Sequence, residues 1–218
     1  SAMQAGVERN LGHDYLVDIE ERYSETARIT SPTPWDIMNE LMQGGLGAGE
    51  LGVVVAPAGI GKSWVLSAMG AYAISQGLNV VHYTLELNEA YVGLRYDSIF
   101  SGVESQNLKY HKEEVMEKLF NLKGNLTIKY YPTRACTVNT LSAHLKKVTT
   151  FGNKVDMVLV DYADIMRDVG KAQEMRHALG NIYEDLRGLA GELQVPIWTA
   201  SQANRSALDE DVIEATKV

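Results

Sequence analysis

Between residues 51 and 202 the sequence alternates between short apolar runs and stretches with helical spacing. The runs are "LGVVVA" (51–56), "NVVHYTLE" (79–86), "NLTIKYY" (125–131), "VDMVLVD" (155–161) and "VPIWTASQ" (195–202). Between them lie 62–77, which ends at Gly77, and 88–121, which reads as two helices broken near Gly102. Residues 137–148 place Val138, Leu141, Leu145 and Val148 on one face, and 172–193 place Met175, Leu179, Ile182, Leu186 and Leu193 in phase. Strand, helix and strand repeated in this way predict an α/β fold with a largely parallel sheet flanked by helices. The nearly all-apolar "VDMVLVD" predicts a strand buried on both faces.

Upstream the pattern differs. "LGHDYLVDIEERYSET" (11–26) reads as a helix, with Leu16, Ile19 and Tyr23 on one side and acids between them. The prolines of "TSPTPWDIM" break it. "SAM" at the start has the look of an expression scar. The expected division is therefore 1–10 as a tag or disordered start, 11–34 as a helix and Pro-containing connection, and 35–218 as the core.

The formal net charge of −8 argues against a surface coated with nucleic acid, though not against a narrow basic channel. No apolar run reaches the roughly eighteen residues of a membrane span, and no membrane partner is expected. The lone Cys136 has no partner for an internal disulfide, which fits a reducing cytoplasm.

The first strand leads into "APAGIGKSW" (56–64). A phosphate-binding loop follows G-x-x-x-x-G-K-[ST]. Gly61, Lys62 and Ser63 fit, but Ala56 stands where the first glycine is usual. Alanine tolerates most backbone shapes except positive φ, and that position has no chemical duty. The amides from Ala58 through Gly59, Ile60, Gly61 and Lys62 to Ser63 would cradle phosphate at a helix N-terminus, with Trp64 beside them. Lys62 would reach the terminal phosphates of ATP or another NTP, and the Ser63 hydroxyl would bind Mg2+. The plainer alternative is an ordinary glycine-rich turn.

Asp161 ends the buried fourth strand, where a carboxylate needs a cation or donors. It reads as the magnesium acid, against a helix or turn cap, a role open to Asp164. Glu86 ends the second strand; spacing alone allows an acid that orients the attacking water or a solvated surface acid. Gln202, in "TASQANR", is either a contact to the terminal phosphate or part of a polar turn.

Taken together, "GGLGAGELGVVVAPAGIGKS", "HYTLELNE", "MVLVDYADIM" and "LRGLAGELQVPIWTASQANRS" resemble the RecA-like ATPase domain of DnaB-type replicative DNA helicases, most strongly those of T-even-like bacteriophages. That branch tolerates alanine at the first loop position. The resemblance implies a RecA-like P-loop fold with an N-terminal linker helix that docks on an adjacent subunit; packing on its own domain is the alternative. It implies that Lys62, Glu86 and Gln202 are catalytic, Glu86 as the glutamate of the "LE" signature and Gln202 as the sensor, and that Ser63 and Asp161 hold the metal. It further implies single-stranded DNA as a partner, self-association into a hexameric ring, and primase and replisome proteins as companions. Arg167, Lys171 and Arg176, after Asp161, and Arg205, beside Gln202, are the implied DNA contacts; a solvated polar loop is the alternative.

The family pattern runs on past Val218, so the arginine finger is expected outside these residues, and slow hydrolysis is expected without it, since such fingers contribute about a thousandfold or more. Two other readings share the loop and the metal acid. One is a RecA-type recombinase; the other is a regulatory ATP-binding assembly module of the clock or signalling kind.

Overall fold

A computed structural model describes residues 12–24, 28–168 and 175–203. Five strands form one parallel sheet: β3 (Leu51–Ala56), β4 (Val80–Thr84), β5 (Leu126–Tyr130), β6 (Met157–Asp161) and β7 (Ile197–Gln202), in the order β3-β7-β6-β4-β5. A separate antiparallel pair joins β1 (Thr30–Ser31) to β2 (Leu46–Gly47). The helices are α1 (Ile19–Ser24), α2 (Asp36–Leu41), α3 (Lys62–Ser75), α4 (Glu89–Ser101), α5 (Lys112–Phe120), α6 (Val138–Thr150) and α7 (Met175–Leu193).

Side chains of the central strands alternate between two cores. Val81, Tyr83, Val158, Val160 and Ile197 face the layer holding α6 and α7, where Leu141, Leu145, Ile182 and Leu186 are buried. Val80, Met157, Leu159, Trp198 and Ala200 face α3 and α4, packing on Leu66, Met69, Ile74, Val92 and Tyr96. Burying each such aliphatic side chain contributes about 1.5–3 kcal/mol before the entropy of ordering is subtracted. Burial of β6 on both faces fits its uninterrupted apolar run.

Local signals set the ends of the elements. Gly77, at φ 90°, closes α3 by donating to Ile74 O (2.9 Å), while Leu78 N–H donates to Ala73 O (3.0 Å). Gly102 ends α4 in the same left-handed conformation, which is the break expected there. Asn88 caps the start of α4, and a capping box between Thr137 and Thr140 starts α6.

The region before the core departs from expectation. Of the helix expected over 11–26, the described residues 12–18 are coil and turn, and helix is seen at Ile19–Ser24; residues 11, 25 and 26 lie outside the described residues. Asp14 and Asp18 side chains accept nearby backbone amides, which favours turns over helix in this stretch. Leu16, Ile19 and Tyr23 are exposed. The Pro-containing connection, in contrast, is knitted into the core. Thr33 and Asn39 exchange hydrogen bonds, Arg28 Nε donates to Glu50 Oε1 (2.7 Å), and β1 pairs with β2.

Candidate functional site

The carboxyl ends of β3, β4, β6 and β7 converge on the N-terminus of α3. Here the chain leaves β3 at Ala56 and re-enters helix at Lys62. Ala56 is paired in register with Gln202, and its carbonyl accepts the Ala203 amide (3.1 Å). It is therefore a strand residue and is not among the positive-φ positions. The turn comes later, at Gly59 (φ 81°) and Gly61 (φ 96°), where glycine is needed. A β-carbon on either would meet no heavy atom within 4 Å, so the space over the loop is open. Among the described residues, the amides of Ala58 to Ser63 donate to no protein acceptor; the first amides bonded back are Trp64 and Val65, both to Gly61 O. Six free donors at a helix N-terminus make an anion cradle.

Ser63 and Asp161 meet in this cradle. Ser63 Oγ donates to Asp161 Oδ1 at 2.9 Å, joining α3 to the end of β6. Asp161 is 5% exposed. Burial, with help from the negative charge of Glu86, holds its carboxyl above the usual carboxylate range; the Ser63 hydroxyl, Arg95 and Lys62 pull the other way. A buried carboxylate beside a hydroxyl is an all-oxygen donor pair suited to a small hard cation, whose charge would offset that desolvation. Lys62 Nζ lies 4.2 Å from the centroid of the Tyr162 ring, which holds the ammonium at the mouth of the loop.

Glu86 is exposed just beyond β4. Its neighbour Leu85 donates its amide to Asp161 O (3.0 Å), which places Glu86 at the same carboxyl edge of the sheet as the cradle; its negative charge raises the pKa of both Asp161 and Tyr162. Gln202 ends β7, also exposed, next to Ala56. Ile60 and Trp64 expose their side chains at the loop. Arg167 is exposed after the 3-10 turn Ala163–Ile165, and its amide donates to Cys136 O (2.9 Å). Arg176 falls in the first turn of α7. Lys171 and Arg205 lie outside the described residues.

Three residues of the site are not evident from its motifs. Arg95, on α4, brings Nη1 to 4.0 Å from Asp161 Oδ2, and its guanidinium sits 5.5 Å from the Trp64 ring centroid. That nitrogen is buried and, among the described residues, makes no hydrogen bond, so its nearest anion is Asp161. Helical spacing with the buried Val92 and Tyr96 on α4 is the signal for an inward-facing arginine. Tyr162 forms the floor under Lys62. Asp164 accepts from the Gln202 amide (2.7 Å), Ser201 Oγ (3.2 Å) and Tyr183 OH (3.2 Å). Glu89, in the first turn of α4, accepts the Tyr130 amide at the end of β5 (3.1 Å).

Residues 32–211 match the family described as DnaB-like helicase C terminal domain. This chain belongs to that family. The DnaB-like replicative helicase of Enterobacteria phage T4 is 26% identical over 233 residues, covering 100% of this chain and 49% of that protein. The replicative DNA helicase DnaB of Geobacillus stearothermophilus is 26% identical over 197 residues, covering 87% of this chain and 43% of that protein. The chain thus spans about half the length of the curated relatives it matches. Two solved structures share the fold seen here. One, of an ATPase domain, aligns with TM-score 0.72 at 17% identity, over 93% of this chain and 75% of that one. The other, a DnaB-like replicative helicase solved for its interactions with primase, aligns with TM-score 0.71 at 17% identity, over 91% and 51%. The RecA-like P-loop architecture of this DnaB-like domain follows from its parallel sheet and that likeness. Among the described residues no helix is long and apolar enough to cross a membrane.

Proposed function

We propose that this DnaB-like domain is the ATPase motor of a ring-forming replicative helicase, which couples ATP hydrolysis to translocation on single-stranded DNA and duplex unwinding. The observation that carries the reading is the Ser63–Asp161 hydrogen bond. It joins the phosphate loop to the strand-end acid in an open, donor-rich cradle.

In this reading the amides of Ala58 to Ser63 hold the phosphates and Lys62 neutralises the terminal ones. Ser63 and Asp161 would hold Mg2+, which would supply positive charge to stabilise the charge developing on the phosphates. Glu86 orients the attacking water from across the cradle, and Gln202 reads the terminal phosphate. Arg167 contacts DNA phosphates at the edge of the same face, with Lys171, Arg176 and Arg205 proposed as further contacts. Hexamer formation, with residues 11–34 as the linker that reaches a neighbour, and a primase partner are part of the same proposal. They draw on the family and on a relative solved for its interactions with primase.

The test is nucleotide binding by this chain, and ATP turnover by a chain extended to the length of its relatives, with and without single-stranded DNA. Lys62→Ala should abolish binding, while Glu86→Gln should bind ATP and fail to turn it over. Full turnover by Glu86→Gln, with turnover lost in Lys62→Ala, would show that the water-activating residue lies elsewhere.

A further inference from the structure

Gln202 sits where β7 runs out of partners on its β6 side, while still pairing with Ala56 on the other. Amides on β7 alternate between its two neighbours. Ile197 N–H donates to Glu50 O and Ala203 N–H to Ala56 O, so odd-numbered residues face β3 and Gln202 faces β6. The last paired residues of β6 and β7 are Val160 and Thr199, and β6 ends at Asp161. No β6 carbonyl stands opposite the Gln202 amide. The Asp164 carboxylate takes that place, accepting it at 2.7 Å through Oδ2. The same oxygen accepts Ser201 Oγ, and Oδ1 accepts Tyr183 OH from α7. A neighbouring bond pins the turn itself: Ala163 N–H donates to Thr199 Oγ1 (3.1 Å), whose hydroxyl donates to Val160 O (2.8 Å).

We propose that Asp164 is the positioning residue for Gln202: its carboxylate, bridging the turn after β6, the end of β7 and α7, fixes where the Gln202 side chain projects over the phosphate cradle. A charged acceptor on a backbone amide is about twice as strong as a neutral one. It replaces a ladder bond that would otherwise be missing. Because the bridge ties Gln202 to the turn leading to Arg167, a shift in either segment moves the other. The inference rests on Gln202 being the phosphate-reading residue.

The experiment measures affinities of the chain for ADP and for a non-hydrolysable ATP analogue, both with magnesium. It uses the parent, Asp164→Ala, Asp164→Asn, Gln202→Ala and the Asp164→Ala/Gln202→Ala double variant. Amide exchange at Gln202 is followed alongside. Asp164→Ala should lower the preference for the ATP analogue about as much as Gln202→Ala, at least fivefold, with ADP affinity within twofold of the parent. The double variant should be no worse than either single one, and exchange at Gln202 should quicken at least tenfold. If Asp164→Ala does not fold, Asp164→Asn takes its place and should show smaller changes of the same sign. A parent-like preference in the folded Asp164 variants, or losses that multiply in the double variant, overturns the proposal. If Gln202→Ala itself leaves the preference unchanged, the phosphate-reading role of Gln202 fails and this inference falls with it.

Discussion

Ser63 Oγ and Asp161 Oδ1 stand 2.9 Å apart, although 98 residues separate them in the chain. The contact requires α3 and β6 to be folded together, and it sets a buried carboxylate in the cradle at a cost to stability.

That cost gives a signed prediction. Asp161 has its carboxyl raised above 3.8, chiefly by burial. Between that value and the raised one, the folded chain binds more protons than the unfolded chain. The stability linked to this group is therefore present at low pH and is lost as pH rises through the folded value. Asp161→Asn should melt at or above the parent at pH 7; for a chain of this size each kcal/mol recovered adds about 2–4 °C. The same variant should lose magnesium-dependent nucleotide binding. Calorimetry paired with nucleotide titrations, with and without EDTA, checks both halves. A clear fall in melting temperature at pH 7 would contradict the sign.

A histidine beneath the site acts in the opposite direction. His82 is buried, shares a 2.7 Å hydrogen bond with Tyr96 OH, and has its pKa lowered to about 3 by burial and then by Arg95. Unfolded, it titrates near 6.5, so the unfolded chain binds more protons between those values. Its contribution is present above 6.5 and is lost as pH falls toward about 3. His82→Gln should flatten the acid limb of the melting-temperature profile, measured from pH 7 to pH 4. An unchanged acid limb would place the responsible protons elsewhere.

The loop glycines make unequal demands. Gly61 has φ 96° in open space, so Gly61→Ala meets only the left-handed backbone penalty of about 1–2 kcal/mol, plus weakened phosphate binding. Ala56→Gly, which completes the usual motif, should not tighten nucleotide binding and should destabilise the strand by about 0.5–1 kcal/mol. Urea unfolding and ATP-analogue titration of both variants decide it; tighter binding by Ala56→Gly would refute the strand reading of that position.

Arg167 should behave as a phosphate contact rather than a base reader. In the assembled protein, Arg167→Ala should weaken single-stranded DNA of any sequence alike and reduce the slope of log K against log salt by about 0.7. An unaltered slope removes Arg167 from the interface.

The alternation of apolar and helical patterns made the five strands and most helices legible, because burial on two faces leaves a dense local signal. The turn after β3 and the place of Asp161 at the end of β6 were legible because both lie at strand ends, where parallel α/β sheets bind ligands. Arg95 and Asp164 were not. Arg95 matters through a contact to a strand far away in sequence, and only its phase with Val92 and Tyr96 hinted at it. Asp164 read as a turn cap because its partners, Tyr183, Ser201 and the Gln202 amide, come from later elements. Of the helix expected over 11–26, the described stretch 12–18 is coil and turn, because Asp14 and Asp18 bond to local amides there instead.

The strand order has a consequence for how the protein is made. Among the described residues β3 pairs only with β7, along all six of its residues. The platform under the phosphate loop is thus supplied by the last of the five described sheet strands to be synthesised. While a ribosome is still threading out residues 57 to 196, the loop's sequence exists but its base does not. A nascent chain should gain nucleotide protection abruptly, once β7 emerges, rather than in step with its length.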